Sequence, residues 1–575
     1  MINNITEFNR KFFSSEERIT FIGTGEIGGK AHGLVSINDI LKSEISLDEF
    51  PQIEVNIPRL TVIRTNIFDA FMKQNDLFEV AYSDLPDDRI AHAFQEASLP
   101  FAVLGDLRAL ITEVKSPLAV RSSSLLEDAK HEPFAGVYAS KMTPNNQHDI
   151  ESRFKKMVEA IKFVYASTYF RAAKDYIKAT KHKIEDEKMA VIIQEVVGLR
   201  HDDHFYPELS GVARSFNFYP SGPAKPEEGV VNLALGLGKT IVDGGASWAF
   251  SPAYPKISPP FGSIPEMLKE TQTNFWSVNM GKPSQYNPVK ETEYMLKSNI
   301  EDAEPHKTMR YLASTYDYQA DRLDIGIGGE GPRLLNFARL LVMNDIPLNS
   351  LVKKLMTLCE KAMEDPVEIE FAMTFHKDKP HQFGFLQVRP MVVSTEEVFI
   401  DENKLNRESV LAASKNVLGN GTKSNIKDII YVIPEKFDGT KTRDIAMELE
   451  SINKKLVIEN APYLLIGFGR WGSSDPFMNI PVTWGQISGV QAIVEAAKEN
   501  VNVDMSQGSH FFHNLTSFGV SYFSVTKNEE YSVDWEWLKA QELIEETNYV
   551  RHIKLTKPLS IKVDGKRSKG VILKK

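Results

Sequence analysis

The stretch GFLQVRPM, residues 384–391, places an amide and a guanidinium on alternate positions of an otherwise apolar segment. Side chains alternate between the two faces of a β-strand, so Gln387 and Arg389 are predicted to share one face. The stretch therefore predicts a strand with one polar face, and it raises the question of what that face binds.

A segment with the same alternation lies just upstream. In VEIEFAM, residues 367–373, Glu368 and Glu370 would share one face of a strand. The connecting residues 374–382 are polar and include a proline, so the two strands are predicted to form a hairpin-like pair. One face of the sheet would then present two carboxylates, an amide oxygen and a guanidinium.

Composition narrows the class of protein. A chain of 575 residues favours several domains. A net charge of −10 provides no global basic field, so we expect no nucleic-acid or membrane partner, and any phosphate must be bound by local clusters. The only cysteine, Cys359, excludes a disulfide framework and a cysteine-rich zinc site within one chain. With no signal-peptide core and no apolar run of transmembrane length, a cytoplasmic location is expected.

Periodicity and composition predict the organisation of the chain. Short apolar segments alternate with helical ones, which predicts an α+β (mixed α/β) fold. Residues 331–344, GPRLLNFARLLVMN, are predicted to be helical. The predicted division is an N-terminal tail (1–19), a first domain (20–395) with a proline-rich insertion or connector (262–330), a linker (396–425) and a smaller α/β domain (426–575).

Two clusters near the N-terminus suit phosphate. Lys30 follows two glycines in GTGEIGGKAHGL, residues 23–34, and glycine lets a backbone approach a phosphate closely. This is not the P-loop pattern, and a structural turn is the alternative. In SPLAVRSSSLLEDAKHEPFAGVYAS, residues 116–140, a short strand leads Arg121 into three serines. Charge beside hydroxyl groups suits an oligophosphate, whereas a helix cap with a surface ion pair is the alternative.

Two further segments suit a nucleotide. Residues 233–252, LALGLGKTIVDGGASWAFSP, place Gly238, Lys239 and Thr240 among glycines without a P-loop or dinucleotide pattern. The apolar strand MAVIIQEVV, residues 189–197, could offer hydrogen-bonding groups to an adenine edge, or it could simply be a core strand. The candidate adenine contacts are Gln194, Glu195 and Val197.

Taken in order, these motifs resemble the ATP-binding domain of pyruvate phosphate dikinase and phosphoenolpyruvate synthase. The resemblance covers residues 20–395 and rests on GGKAHGL, the serine-rich segment after Arg121, QEVV, SGVA, GLGKTIVDGG, EIE and LQVRP. It implies an ATP-grasp fold that holds Mg-ATP between two α+β subdomains.

The resemblance also implies roles for individual residues. Magnesium prefers a few hard oxygens and keeps phosphate in its shell, and cationic groups stabilise a phosphoryl group in transfer. The implied metal ligands are Glu370 and Gln387, with Glu368 as an auxiliary acid. Arg121 and Arg389 are implied to be catalytic phosphate contacts. The implied ATP contacts are Lys30, Arg121, Arg171, Gln194, Glu195, Val197, Gly238, Lys239, Thr240 and Arg389.

The chain departs from the family pattern in two ways. Lys239 stands where the family usually has a glutamate, which changes the local charge by two units. The dikinases also carry a swivelling domain with a phosphohistidine loop and a barrel that handles pyruvate or phosphoenolpyruvate. The region after residue 395 is too short for such a barrel, so conversion of pyruvate by this chain alone is not expected.

The C-terminal region holds two further motifs. Residues 463–477, YLLIGFGRWGSSDPF, have glycines in dinucleotide-binding spacing, but the prolines that follow argue against a Rossmann unit. An anion-binding loop on Arg470 and a plain glycine turn both stay open. In DMSQGSHFFHNL, residues 504–515, His510 could accept a phosphoryl group, because neutral imidazole is nucleophilic. Packing among phenylalanines is the alternative, and a zinc site with His513 is disfavoured because no cysteine accompanies the pair.

Two functions from different classes follow. The first is an ATP- and magnesium-dependent phosphotransferase that passes a phosphoryl or pyrophosphoryl group to His510 or to an unidentified substrate. The second is a non-catalytic, ATP-sensing regulatory module, which Lys239 and the absence of the barrel favour. The sequence leaves open the acceptor, a homo-oligomer, and a partner chain that supplies the missing domains.

Overall fold

The computed structural model describes residues 6–11, 17–127, 136–178, 180, 182–259, 263–282, 285–393, 396, 398–401, 405–472, 479–497, 509–526, 530–565 and 567–575. The chain divides into two units, and each is described by itself. Unit 1 comprises Met1–Ser215, Glu228–Ile241 and Ala246–Met391, and unit 2 comprises Phe216–Glu227, Val242–Gly245 and Val392–Lys575.

Within the described residues, unit 1 combines eighteen strands with a set of helices. The strands are β1 (Ile19–Ile22), β2 (Ile53–Asn56), β3 (Leu60–Ile63), β4 (Leu118–Ser124), β5 (Ser140–Thr143), β6 (Met189–Glu195), β7 (Leu199–His201), β8 (His204–Tyr206), β9 (Leu209–Arg214), β10 (Val230–Ala234), β11 (Trp248–Phe250), β12 (Asn274–Asn279), β13 (Met295–Asn299), β14 (Ala313–Asp317), β15 (Arg322–Ile325), β16 (Arg333–Leu335), β17 (Val367–Thr374) and β18 (His381–Pro390). The helices are α1 (Gly29–Glu44), α2 (Thr65–Gln74), α3 (Phe78–Tyr82), α4 (Asp87–Glu96), α5 (Phe101–Glu113), α6 (Ile150–Ser167), α7 (Arg171–Lys178), α8 (Lys239–Val242), α9 (Ile264–Glu270), α10 (Ala338–Leu341) and α11 (Leu348–Met363).

Two sheets of unit 1 position the candidate site. Sheet A has the order β1-β3-β6-β4-β5, and sheet B has the order β11-β10-β9-β17-β18-β2. Sheet B is antiparallel except for its last pair, in which β18 runs parallel to β2. Smaller sheets, β13-β12-β8-β7 and β15-β14-β16, complete the unit.

One hydrophobic core joins sheets A and B. Ile192 of β6 belongs to the same buried cluster as Phe371 of β17 and Val388 of β18. The β-branched, apolar composition of β6 suits a strand that is covered on both faces, and all but the last of its residues are buried. Apolar side chains at helical spacing place one face of α11 in this core. Cys359 lies on that face, and burial raises the pKa of its thiol to about 12, as expected for a packed residue rather than a nucleophile.

The α+β fold class is confirmed, but one predicted helix is wrong. Residues 331–344 form the strand β16 and then the short helix α10. Leu335 pairs with Ala313 of β14, and both side chains are buried. Phe337 has a φ of 54°, in the left-handed region, so a continuous helix could not pass through it. Burial against β14 outweighs the helical spacing of the leucines.

The predicted connector and linker both contain regular structure. Residues 262–330 include α9 and the strands β12 to β15, and residues 396–425 include the first three strands of unit 2. The domain boundaries drawn from the sequence stay predictions.

Unit 2 is built on a seven-stranded sheet. Its strands are β19 (Val410–Ser414), β20 (Val417–Leu418), β21 (Gly421–Lys423), β22 (Asp428–Val432), β23 (Tyr463–Phe468), β24 (Val490–Ala496), β25 (Ser521–Val525), β26 (Glu542–Glu546), β27 (Val550–Lys554), β28 (Ser560–Asp564) and β29 (Lys569–Leu573), and its helices are α12 (Thr442–Ile458), α13 (His510–Ser517) and α14 (Trp535–Lys539). The large sheet has the order β20-β25-β24-β23-β22-β27-β26, in which β22 to β25 run parallel. A second sheet has the order β19-β29-β28-β21.

Among the residues described, no helix is both long enough and apolar enough to cross a bilayer.

Candidate functional site

The strands β17 and β18 place four polar side chains on one face of sheet B. Glu368 lies opposite Arg389, and Glu370 lies opposite Gln387, in the antiparallel register of the pair. Directly opposed residues on neighbouring strands share a face. The hairpin and its polar face, both predicted from alternation, are therefore confirmed.

Arg121 of sheet A reaches this face. Its Nη2 donates to Gln387 Oε1 (2.7 Å) and lies 3.5 Å from Glu370 Oε2. Its Nη1 donates to the Leu386 carbonyl (3.1 Å) and to Gln194 Oε1 (3.4 Å). One guanidinium thus connects the strands β4 and β6 of sheet A with β17 and β18 of sheet B.

Lys30 forms a second cluster at the end of β4. Its Nζ donates to Ser122 Oγ (3.0 Å) and pairs with Glu127 Oε1 (2.6 Å). The Glu127 carboxylate is 1% exposed and also accepts hydrogen bonds from the Ser122 hydroxyl and the Ser124 N–H. Residues 128–135, the next part of this motif, lie outside the described residues.

Glycine brings the loop before α1 onto β4. Gly28 has a φ of 77°, and a Cβ built on it would lie 1.7 Å from the carbonyl oxygen of Ser123. Ser123 Oγ donates to the Ile27 carbonyl and accepts the N–H of Ala31. This loop therefore needs glycine at residue 28, and the fit holds Lys30 beside the serines.

A buried acid lies close to the Lys30 cluster. Glu187 is 2% exposed, and burial, together with the nearby Glu127 carboxylate, raises the pKa of its carboxyl to about 7. The sequence did not single out Glu187, because a lone glutamate before an apolar strand resembles a solvated residue.

Glu368 is enclosed by two arginines. Arg389 donates to its Oε1 through Nε (2.8 Å) and Nη2, and Arg214 pairs with its Oε2. All three side chains are at most 3% exposed. Burial lowers the pKa of the Arg214 guanidinium, and the Glu368 carboxylate opposes that shift. We call these residues the buried triad.

Arg214 was missed by the sequence analysis. It follows SGVA on β9 and lies opposite Glu368 of β17. An arginine at the end of a short apolar strand gives no sign of burial by itself, and only the pairing of β9 with β17 reveals its partner.

Gln194 belongs to the strand that is predicted to contact the edge of an adenine ring. It is 2% exposed, and its Nε2 has no hydrogen-bond partner among the described residues. The Glu195 N–H already donates to the Arg59 carbonyl (3.0 Å), and the Glu195 carboxylate accepts from Ser116 Oγ (2.6 Å). Val197 is buried. Gln194 is thus the residue of this segment with an unused buried donor.

The glycine-rich segment before α8 contains a second such group. Thr240 is 6% exposed, and its Oγ1 has no partner among the residues that the structure describes. A Cβ on the neighbouring Gly238 would meet only Ser210, at ordinary contact distance. Lys239 Nζ lies 5.9 Å from the ring centroid of Trp276, within the range of a cation–π contact.

Two predicted site residues lie in other surroundings. Arg171 begins α7, is 58% exposed at its side chain and pairs with Asp175 (3.6 Å). Its backbone N–H donates to Asp87 Oδ1 (2.7 Å). His510 is the first residue of α13 in unit 2, and Ser509 caps that helix by accepting the Phe512 N–H (3.2 Å). The predicted roles of Arg171 and His510 stay predictions.

The residues around Arg121 fit a magnesium ion. Within the described ranges, no three His, Cys, Asp or Glu side chains converge as a metal site. Magnesium in nucleotide sites needs only one or two protein ligands, because phosphates and water complete its shell. The Glu370 carboxylate and the Gln387 amide oxygen, opposite each other on β17 and β18, supply two hard oxygens. The buried triad, in contrast, already engages both oxygens of Glu368.

A protein-family model matches the part of the chain that carries these residues. The family model described as "Pyruvate phosphate dikinase, AMP/ATP-binding domain" matches residues 24–409, about two thirds of the chain. The matched range includes Lys30, Arg121 and the hairpin of β17 and β18. No match was found among curated proteins.

Proposed function

The chain belongs to the family of the pyruvate phosphate dikinase AMP/ATP-binding domain, and on this premise we propose that it is an ATP- and magnesium-dependent phosphotransferase. It would transfer a phosphoryl or pyrophosphoryl group from ATP to an acceptor histidine or to a substrate not yet identified. The observation that carries the proposal is the position of Arg121, which joins Gln194 of sheet A to Glu370 and Gln387 of sheet B.

Two cations would hold the phosphates. Arg121 offers a planar set of donors that matches phosphate oxygens, and Lys30 offers a point charge at the start of α1. In phosphoryl transfer, positioned positive charge stabilises the transition state and accounts for most of the catalysis. Arg389 would contribute from within the buried triad, where Glu368 fixes its orientation.

Glu370 and Gln387 would hold the magnesium ion. When bound, magnesium would neutralise charge on the phosphate oxygens and orient them. The two protein oxygens lie on adjacent strands of a packed sheet, so little reorganisation of the backbone is needed to present them together.

Two unused polar groups support a nucleotide ligand. Buried polar atoms are nearly always hydrogen-bonded in native proteins, so an orphaned one commonly points to a ligand or water. Gln194 Nε2 and Thr240 Oγ1 are both buried and lack partners within the described part of the chain. Both belong to the segments predicted to contact ATP.

His510 is the proposed acceptor within this chain. The side chain is partly exposed at the first turn of α13. A neutral imidazole in that position could take a phosphoryl group from a bound nucleotide or pass one to a substrate. The preceding residues 498–508 lie outside the described residues.

A second candidate function is an ATP sensor without turnover. Lys239 supports it, because this residue replaces an acid of the family pattern and lies in a cation–π contact with Trp276. A lysine beside the phosphates would strengthen binding of a polyanion but could not supply a carboxylate.

Products of the reaction distinguish the two functions. Purified protein is incubated with Mg-ATP, and the nucleotides are resolved by chromatography. AMP supports transfer of a dikinase type, ADP supports transfer of a single phosphoryl group, and tight binding without products supports the sensor.

Two variants test the assigned groups. Glu370→Ala should abolish turnover, with the exposed Glu96→Ala as its matched control. His510→Ala should remove label transferred to the protein from [γ-³²P]ATP or [β-³²P]ATP, whereas the exposed His92→Ala should retain it. Full turnover in Glu370→Ala would refute the metal assignment, and full labelling of His510→Ala would refute the acceptor.

A further inference from the structure

The guanidinium of Arg121 contacts the same two oxygens that would bind magnesium. Its Nη2 lies 2.7 Å from Gln387 Oε1 and 3.5 Å from Glu370 Oε2. Within the described residues, Arg121 is the cation at ion-pair distance from Glu370, and the buried Arg214 also interacts with Glu370 electrostatically. Arg121 therefore supplies the positive charge that this oxygen pair would otherwise obtain from the metal.

Arginine and magnesium compete for these oxygens. Magnesium requires its ligands at about 2.0–2.1 Å in near-octahedral geometry, so it takes one lone pair of each oxygen and draws charge away from the other, which weakens the hydrogen bond from Arg121. Two cations at that separation also repel each other, and the repulsion is strong where water is scarce. The side chains of Arg121 and Glu370 are only 15% and 17% exposed.

Arg121 has other acceptors that would remain if it left the pair. Its Nη1 donates to the Leu386 carbonyl (3.1 Å) and to Gln194 Oε1 (3.4 Å). Neither of these acceptors carries a charge. A buried guanidinium without a counter-charge is costly, so Arg121 would leave Glu370 readily only if another anion replaced it.

We propose that Arg121 is an exchangeable counter-ion, which holds Glu370 and Gln387 until a metal–nucleotide complex replaces it. The inference rests on the proposed function, because it takes these residues as the magnesium ligands. Metal alone would displace Arg121 from Glu370 without supplying another anion for its guanidinium. Metal with nucleotide occupies the oxygen pair and at the same time offers phosphate to the guanidinium.

The site would therefore couple metal binding to nucleotide binding. Free metal binds weakly because it competes with Arg121 for the two oxygens. The metal–nucleotide complex binds well because Arg121 then pairs with the phosphates. Such coupling between two ligands commonly amounts to about 5–150-fold in affinity. It would keep the magnesium ligands closed to free divalent cations.

Removing the arginine should change the two affinities in opposite directions. Arg121→Gln frees the oxygen pair, so its affinity for free Mn²⁺ should rise about tenfold. The same variant lacks the phosphate contact, so its affinity for Mn-ATP should fall about tenfold or more. Loss of structure alone would lower both affinities, so the opposite signs separate the proposal from a structural effect.

The experiment is a Mn²⁺ titration of the full-length chain followed by electron paramagnetic resonance, with and without ATP. The variants are Arg121→Gln and Arg121→Lys, and the control is Arg89→Gln, which removes an exposed arginine of α4. Thermal melting checks that each variant is folded. Arg121→Lys keeps the charge but cannot make both contacts, so it should raise the affinity for free Mn²⁺ by a smaller factor and serves if the glutamine variant does not fold.

The outcomes separate the inference from the proposed function. If the wild-type chain does not bind Mn-ATP, the proposed nucleotide site is wrong. If it binds Mn-ATP but neither Arg121 variant binds free Mn²⁺ more tightly than wild type, the competition is refuted and the nucleotide site stands. A matching rise in the Arg89→Gln control would also refute the competition, since the effect would then belong to net charge.

Discussion

Glu368 and Glu370 stand two positions apart on β17 and have opposite surroundings. Glu368 is 2% exposed between Arg214 and Arg389, whereas the side chain of Glu370 is 17% exposed and meets Arg121 at 3.5 Å. A buried charge is tolerated only when it is fully paired. We therefore expect a structural role for Glu368, whereas the proposed exchange of partners concerns Glu370.

The two acids should differ in their effect on stability. Glu368→Gln leaves two buried guanidinium groups without a full counter-charge, and we expect the free energy of unfolding to fall by about 3–5 kcal/mol. Glu370→Gln removes a longer, partly exposed contact and should cost about 1 kcal/mol or less. Urea denaturation of both variants measures the difference. Equal losses would contradict the closed environment assigned to Glu368.

The pKa of Glu187 predicts a pH dependence. Because burial raises this pKa from 4.5 to about 7, the folded state binds a proton more tightly than the unfolded state. The contribution of Glu187 to the stability should therefore fall as the pH rises from 4.5 to 7 and stay low above that. Glu187→Gln should raise the melting temperature at pH 8 and change it little at pH 4.5.

The control for this prediction is Glu96→Gln, which changes an exposed residue. Its difference in melting temperature between pH 4.5 and pH 8 should match that of the wild type. An equal change in the melting temperature of the Glu187→Gln variant at both pH values would show that Glu187 is ionised normally.

At the level of elements, α1 packs against β4 of sheet A and β18 of sheet B. Its first turn carries Lys30 to the serines of β4, and further along it Gly33 touches β18, where a Cβ would lie 2.6 Å from the Val388 carbonyl oxygen. The helix thus helps to set the distance between Arg121 of sheet A and the residues Glu370 and Gln387 of sheet B.

Gly33 should be intolerant of alanine. Within an exposed helix, Gly→Ala normally stabilises by about 1 kcal/mol. Here the added methyl group must displace the backbone of β18, so Gly33→Ala should destabilise by about 1–3 kcal/mol and weaken ATP binding. Gly328→Ala, which meets nothing within 4 Å, is the matched control. Melting temperatures and ATP titrations measure both effects, and a stabilised Gly33→Ala would refute the close packing.

Some elements were predictable because their pattern is local. Alternation along residues 367–391 is a property of the strand itself, so the hairpin and its polar face followed from the sequence. The helix predicted at residues 331–344 was wrong because pairing with β14 decides its conformation. Arg214 was missed for the same reason, since its burial depends on β17, which lies about 150 residues away in the sequence.

At the scale of the whole molecule, the candidate site collects residues from distant parts of unit 1. Lys30 lies on α1, Arg121 on β4, Gln194 on β6 and Gln387 on β18. Each segment taken alone resembles a turn, a cap or a core strand. Only their joint order carried the family resemblance, which the match over residues 24–409 confirms.

Bound nucleotide should protect these segments together. In hydrogen–deuterium exchange with Mg-ATP, slower exchange is expected in peptides that contain Lys30, Arg121, Thr240 and Gln387, because binding stabilises the folded state at each contact. Glu370→Ala should lose that protection. Protection of one segment alone would contradict a shared site.

The parallel pairing of β2 with β18 also matters while the chain is being made. It sets residue 53 beside residue 381, and the strands β17 and β18, which lie between β9 and β2 in sheet B, come last in unit 1. At typical translation rates of about 5–20 residues per second, the early strands wait roughly 20–60 s for these partners. A ribosome-bound chain that ends before residue 367 should remain open to proteases and in need of chaperones, and only emergence of β18 from the exit tunnel would close the sheet.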